Sequence, residues 1–409
     1  MMKRKALIWL VMGLLPIAMQ AQGEFDRWFN GGTLRVDCLR EGSAQGDTVW
    51  VDRWVDRQAS WHGSRLALHD RFDNGDYRVV MRDLASMQEI YSYCYSNLFR
   101  EYKDTPEGRT IKKQFEETLL LPMPHNRVLI VFQKRDKEMR FVDQTRVVFD
   151  PRRDLRKIDS PHTAGTPYII NGSPADHFDI AFVMQGFGDA DESFYKQCCE
   201  RMCNIIFGIE PFRSHRKLFN IYFVKADVGV NYNTFGADRY AMTFDVHKLH
   251  DALGTTPADH IIICINNETY GGGAIYNFYS VSSLHKMAEM VLPHELGHGI
   301  GGLADEYVDE ELSYSDLHRT EYEPLEPNIT NLVHFDRKWQ SLLPKGIAIP
   351  TPDIDVPRNE CGPLGVYEGA GYSSKGVYRP TMHCMMRDYA PFCPVCEHRL
   401  VEVFNTHMR

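Results

Sequence analysis

The segment VLPHELGHGIGGLADEY, residues 291–307, places His294, Glu295 and His298 ahead of two acidic residues, Asp305 and Glu306. Residues four apart on a helix lie almost one above the other, so His294 and His298 can present their rings to one ion about 2 Å from each nitrogen. Glu295 is turned about 100° from His294, close enough to take a proton from a water at the ion without being a ligand. Imidazole nitrogens with a carboxylate oxygen suit a zinc ion that keeps one position open for chemistry.

Residues 294–298, HELGH, form an HExxH pattern. The longer pattern HExxHxxGxxH puts a third histidine six residues after the second, and that position holds Ala304, which cannot bind a metal. Asp305, the next residue, is the favoured third ligand, with Glu306 the next choice. A glutamate from a separate downstream helix is a further option, and Glu310 and Glu321 lie in that region. In an uninterrupted helix Asp305 would stand about 10 Å beyond His298 along the axis, too far to share its ion. Gly301 and Gly302 are where the helix can stop and the chain turn back. Upstream, SVSSLHKMAEMVL supplies helical turns, and Pro293 would kink the helix unless it begins nearby.

The elements that must position these residues alternate between strand and helix. FDIAFVMQGF, LFNIYFVKA and DHIIICINN read as buried strands, and ADESFYKQCCERMCNIIFG as a helix with acidic residues at its start. GGGAIYNFYSVSS has three glycines opening a strand just before the His294 helix. Earlier in the chain GTLRVDCLR, DTVWVDRW, DYRVVMRD, NRVLIVFQ and MRFVDQTRVVF have the period of half-buried strands. They point to a β-sandwich, interrupted by a helical piece around DTPEGRTIKKQFEETLL, that serves as a scaffold in preference to a substrate-binding module. DSPHTAGTPYIINGSPADH reads as a linker. The expected division is a signal peptide at 1–21, a β-sandwich domain at 22–160, a linker at 161–175 and a catalytic domain at 176–409, an α+β chain overall.

A chain of 409 residues, 43% hydrophobic, can bury a large core. Its formal net charge of -9 gives no basis for tracking a phosphate backbone, so nucleic acid is not expected as a partner. Lys3, Arg4 and Lys5 precede an apolar run from Ala6 to Met19, followed by small and polar residues, the pattern of a signal peptide ending at Ala21. The expected location is therefore periplasmic or extracellular, with no stable membrane span after cleavage. In that compartment Cys393 and Cys396 are expected to oxidise to disulfides rather than hold a structural zinc. Cys198, Cys199 and Cys203 are expected as buried free thiols in a helix.

HELGHGIGGLADEY, then EPNITNL from Glu326, then CGPLGVYEGAGYSSKGVYRPTMHCMMRDYAPFCPVC from Cys361, together resemble the M64 peptidases, a family named for a bacterial IgA peptidase. The resemblance spans nearly all of the mature chain. It implies a secreted zinc metallopeptidase with a metzincin-like catalytic domain, an acidic third ligand at Asp305 and a protein or peptide substrate. It does not imply that immunoglobulin A is cut. It also implies a methionine turn beneath the metal, matched by Met386 with Met385 as a close rival. Tyr389, three residues on, is a candidate for contacting the oxyanion of the tetrahedral intermediate. Cys361 and Cys384 bracket a loop rich in glycine and tyrosine and are candidates to pair with each other. By analogy, GGGAIYNFY is where an extended substrate would add to a sheet edge. Two other readings stand beside peptidase: a zinc hydrolase of a non-peptide amide such as a cell-wall crosslink, and an inactive surface-binding protein.

Overall fold

Extended strands dominate the first third of the chain. The computed structural model describes residues 23–156, 164–309 and 321–407; the expected signal peptide and Glu310 lie outside them. Residues 23–28 are helical (α1). Strands β1 (Phe29–Ser43), β2 (Gly46–Ser60), β3 (Tyr77–Asp83), β4 (Glu89–Tyr95), β5 (Lys113–Pro124), β6 (Val128–Arg135) and β7 (Phe141–Phe149) follow. They form two antiparallel sheets, ordered β2-β1-β5 and β4-β3-β6-β7. Leu34, Val36, Leu119 and Leu121 from the first sheet share one core with Val79, Met81, Ile130 and Phe132 from the second.

The helix expected around residues 104–120 is not formed. A short helix α2 (Leu98–Tyr102) ends before it, and β5 takes its second half. The chain passes so close to the Tyr102 carbonyl at Gly108 that a Cβ there would collide with it. Phe115, Glu117, Leu119 and Leu121 are all buried, as a strand's single face requires. The inward Glu117 masked that period. Its carboxylate is fully enclosed, paired with Arg40 and hydrogen-bonded by Asn97 at 2.6 Å and Tyr95 at 3.1 Å.

The second part is a mixed sheet with helices. Its elements are β8 (Thr166–Ile169), β9 (Phe178–Gln185), α3 (Glu192–Ile206), β10 (Phe219–Lys225), a two-residue ladder of β11 (Val230–Asn231) and β12 (Met242–Thr243), α4 (Val246–Leu253), β13 (His260–Ile265), β14 (Gly272–Ile275), β15 (Tyr279–Ser283) and α5 (Ala288–Gly299). Beyond these come the hairpin β16 (Tyr367–Ala370) and β17 (Ser373–Arg379), then α6 (Met385–Asp388) and α7 (Pro394–Phe404). The six-stranded order is β14-β15-β13-β9-β10-β8, with the four central strands parallel and both edge strands antiparallel. Part of the stretch expected as linker, Thr166–Ile169, is thus the edge strand β8. GGGAIYNFYSVSS is a hairpin of β14 and β15, not one strand, with Asn277 at φ 52° in its turn. The SVSS residues counted as helical turns belong to β15, so α5 begins at Ala288 and carries the buried Pro293 within it.

Alternation along the central strands assigns each face of this sheet a neighbour. Ile180, Phe182 and Met184 pack with residues of α3, α5 and α7, whereas Ala181 and Val183 belong to the same core as the N-terminal sheets. Arg35 reaches Asp251 of α4 at 2.6 Å, and Arg57 donates to the Gly254 carbonyl at 2.8 Å. The chain is therefore a sheet-rich α+β protein whose β-rich N-terminal region is bonded to the part carrying HELGH. Among the described residues no helix is long and apolar enough to cross a membrane.

Candidate metal centre

α5 lies against β14 and β15 and presents His294 and His298 one turn apart. Each ring is fixed by its own backbone acceptor. Nδ1 of His294 meets the Met385 carbonyl at 3.0 Å, and Nδ1 of His298 meets the Leu303 carbonyl at 2.7 Å. If each Nδ1 donates its proton there, the Nε2 lone pairs are left facing inward.

The return of the chain is local and specific. Gly302, at φ +60°, sits in the left-handed region that ends many helices. Its amide donates to the His298 carbonyl at 3.0 Å, and the Leu303 amide reaches the Gly297 carbonyl at 3.1 Å. The bend is held from outside by two groups far apart in sequence. Asn74 Nδ2 donates to the Gly302 carbonyl at 3.1 Å, and Arg399 Nε to the Gly301 carbonyl at 3.0 Å. Asn328 then clamps Ala304, accepting from its amide at 2.8 Å and donating to its carbonyl at 2.9 Å. The Ala304 side chain points into a small cluster with Ile329, Ala370 and Val377. The position where HExxHxxGxxH has its third histidine is therefore a packing position, and the next residue turns toward the rings.

Asp305 Oδ1 lies 3.1 Å from His294 Nε2 and 3.4 Å from His298 Nε2, and the two Nε2 atoms are 3.1 Å apart. Three ligands about 2.0–2.1 Å from a tetrahedral ion would stand roughly 3.3 Å from one another. With the ring protons on Nδ1, three lone-pair atoms face each other, an arrangement that needs a cation or a proton among them. Asp305 Oδ1 is buried without a hydrogen-bond partner, as expected of an atom aimed at an ion. The donor set thus fits a metal. Without one, burial works against charge on His298, but Asp305 outweighs it and lifts the His298 pKa to about 9. Burial likewise opposes charge on Asp305, and the two imidazoles hold its carboxyl well below the usual range.

Glu295 lies beside this triad and outside it. A Cβ on Gly272 of β14 would stand 3.0 Å from Glu295 Oε1, so the edge strand bounds its carboxylate. Burial pushes the Glu295 carboxyl above its ordinary pKa, against the pull of His294 and His298. Met386 packs against α5, its sulfur so close to Gly297 that a Cβ there would collide with it. Met385 contributes its carbonyl to His294. The Tyr389 ring stands edge-on to His294 with centroids 5.7 Å apart, and its hydroxyl meets that of Tyr270 at 3.0 Å. Burial pushes the Tyr389 hydroxyl pKa up, which keeps it a neutral donor.

Other candidates are placed elsewhere. Glu306 points away from the triad, with Cys396 Sγ 3.4 Å from its Oε1. Nothing brings Glu321 to His294 or His298 among the described interactions. All ten cysteines are free, so the disulfides expected at Cys393 and Cys396, and between Cys361 and Cys384, are not formed. Cys361 instead contacts the Pro391 and Phe392 carbonyls, while Cys384 joins Cys396 at 3.7 Å. The sheet edge expected to receive substrate is already taken at Gly272, whose amide donates to Arg239 O at 3.1 Å and whose carbonyl accepts from Ala241 N at 3.0 Å. The glycine run there admits the chain's own residues 239–241.

Several residues of the site had no role in the sequence reading. The Tyr372 hydroxyl donates to Asp305 Oδ2, fixing the carboxylate from the β16–β17 turn. Asn74, Tyr270, Asn328 and Arg399 are likewise brought in by tertiary contact. Asn328 lies in EPNITNL, where a signal existed without an assignable task.

Family comparisons agree along most of the chain. The Peptidase M64 N-terminus model matches residues 24–145, and the IgA Peptidase M64 model matches residues 224–361 and 355–404. No curated protein gives a match.

Proposed function

The chain belongs to peptidase family M64, and from that premise we propose that it is a secreted zinc-dependent endopeptidase held together at His294, His298 and Asp305. The observation that carries this reading is the approach of two Nε2 atoms and one buried carboxylate oxygen to within 3.1–3.4 Å of each other. A bound zinc ion would supply Lewis acidity, making water nucleophilic at neutral pH and polarising the scissile carbonyl. Glu295 is the general base. Its buried carboxyl has a raised pKa, which suits it to accept a proton from the attacking water and return it to the leaving amine. Tyr389 donates its hydroxyl to the oxyanion, supported from behind by Tyr270.

In this reading residues 1–21 direct export, 22–160 form a β-sandwich domain, 161–175 connect, and 176–409 form a metzincin-like catalytic domain. Two sheets sharing one core support the sandwich, and Met386 packed against the histidine helix supports the metzincin likeness. The substrate is a protein or peptide.

The test is Glu295→Gln, assayed on a peptide library beside metal analysis. The variant should keep its ion while hydrolysis falls by about 100- to 10,000-fold. Equal turnover would reject Glu295 as the base. A wild-type protein that binds zinc and cuts no peptide, but cleaves another amide, would reassign the substrate class.

A further inference from the structure

Behind the triad lies a second cluster that the peptidase reading does not use. Glu306, Cys384, Cys393 and Cys396 are fully buried, and their ligand atoms lie within 4.8 Å of one another. They come from three places in the fold: the residue after Asp305, the residue before the Met385–Met386 turn, and the start of α7.

We propose that Glu306, Cys384, Cys393 and Cys396 bind a second, structural zinc ion that ties Asp305, the methionine turn and the C-terminal helix together. Two sulfurs about 2.3 Å from a tetrahedral zinc stand about 3.8 Å apart, and a sulfur and a carboxylate oxygen about 3.5 Å apart. The Cys384 and Cys396 sulfurs are 3.7 Å apart, and Cys396 Sγ is 3.4 Å from Glu306 Oε1. A disulfide requires about 2.05 Å between sulfurs. It would also join only two of the three thiols, leaving the third beside an enclosed carboxylate. Glu306 Oε2 is buried without a hydrogen-bond partner, while Oε1 is held by Asn328 Nδ2 at 2.9 Å. One ion satisfies all four residues.

The surroundings favour thiolates. Cys393 precedes the first turn of α7, where helix amides and the dipole stabilise negative charge. The Cys393 amide points at Cys384 Sγ from 3.4 Å, the donor contact that metal thiolates commonly receive. On binding, each thiol gives up its proton to solvent and the sulfur lone pair bonds the cation. No oxidant is needed.

This ion would act on the triad through the backbone. The Glu306 amide donates to the Met386 carbonyl at 2.7 Å, and the neighbouring Met385 carbonyl receives His294 Nδ1. Cys384 and Glu306 thus pin both ends of a link that orients one imidazole and one carboxylate.

The experiment uses the full protein purified without reductant. Wild type should hold about two zinc ions, and His294→Ala/His298→Ala about one. X-ray absorption at the zinc edge of that variant should show sulfur neighbours at about 2.3 Å. If the double variant does not fold, the same measurement on wild type should show a mixed shell of sulfur with nitrogen or oxygen. The intact denatured mass should carry full hydrogens on all three cysteines. A zinc spectrum without sulfur, or a mass short by two hydrogens from a bond among Cys384, Cys393 and Cys396, would overturn the proposal. Loss of the histidine-held ion alone would leave this result unchanged, so the two zinc assignments fail separately.

Discussion

Asn74, in the β-rich N-terminal region, donates its side-chain amide to the carbonyl of Gly302, the residue that turns the chain back after the histidine helix, at 3.1 Å. The N-terminal region therefore reaches the bend on which Asp305 depends. Asn74→Ala leaves a buried carbonyl without its donor, at a cost of about 1–3 kcal/mol. Thermal melting should show a lower midpoint for this variant, and the loss should be larger in zinc than in chelator because the bend orders a ligand. Equal melting of variant and wild type in zinc would show that the contact carries no stability.

Tyr372 holds the oxygen of Asp305 that does not face the histidines. Tyr372→Phe removes only the hydroxyl. Outer hydrogen-bonding partners of this kind change metal affinity by about 10- to 100-fold, so zinc should pass to a competing chelator at correspondingly lower chelator concentration. Unchanged competition would mean that the sphere does not need Tyr372.

Gly272 leaves space that Glu295 uses. In Gly272→Ala the new Cβ would fall 2.6 Å from Val291 and 3.0 Å from both Glu295 Oε1 and the Val281 carbonyl. The helix or the carboxylate must give way, and a displacement near 1 Å can cost about 100-fold in rate. Zinc content should stay at the wild-type level while kcat drops. Wild-type kcat in this variant would show that the edge strand does not position Glu295.

Much of this site was legible in the sequence because its spacing is local. The four-residue interval in HELGH and the diglycine after it fix where Asp305 can go, since helix geometry and a left-handed residue act over a few positions. What escaped was built by tertiary contact. Asn74, Tyr372 and Arg399 approach from distant segments, and no periodicity marks them. The fold shows the same division. Strands with clean alternation were readable, whereas β5 was hidden by the inward charge of Glu117 and β8 by the glycines, prolines and serines around it. A paired buried ion looks polar in sequence and behaves as core in the structure.

Gly297 and Met386 should be coupled. Gly297→Ala puts a methyl group where the Met386 sulfur lies, so it should destabilise the protein and weaken zinc retention. Adding Met386→Ala removes the collision. Residues in contact commonly show interaction energies of about 0.5–3 kcal/mol, and here the double variant should be more stable than the sum of the two single losses. Simple additivity in denaturant titrations would place the thioether away from the helix.

The proposed peptidase chemistry requires His294, His298 and Asp305 to meet at one ion. Anomalous diffraction at the zinc edge, from crystals of the zinc-loaded protein, tests this directly. The proposed ligand set predicts a peak about 2 Å from both Nε2 atoms and from Asp305 Oδ1. An Asp305 turned to solvent, with Glu306 or another side chain completing the sphere, would contradict it.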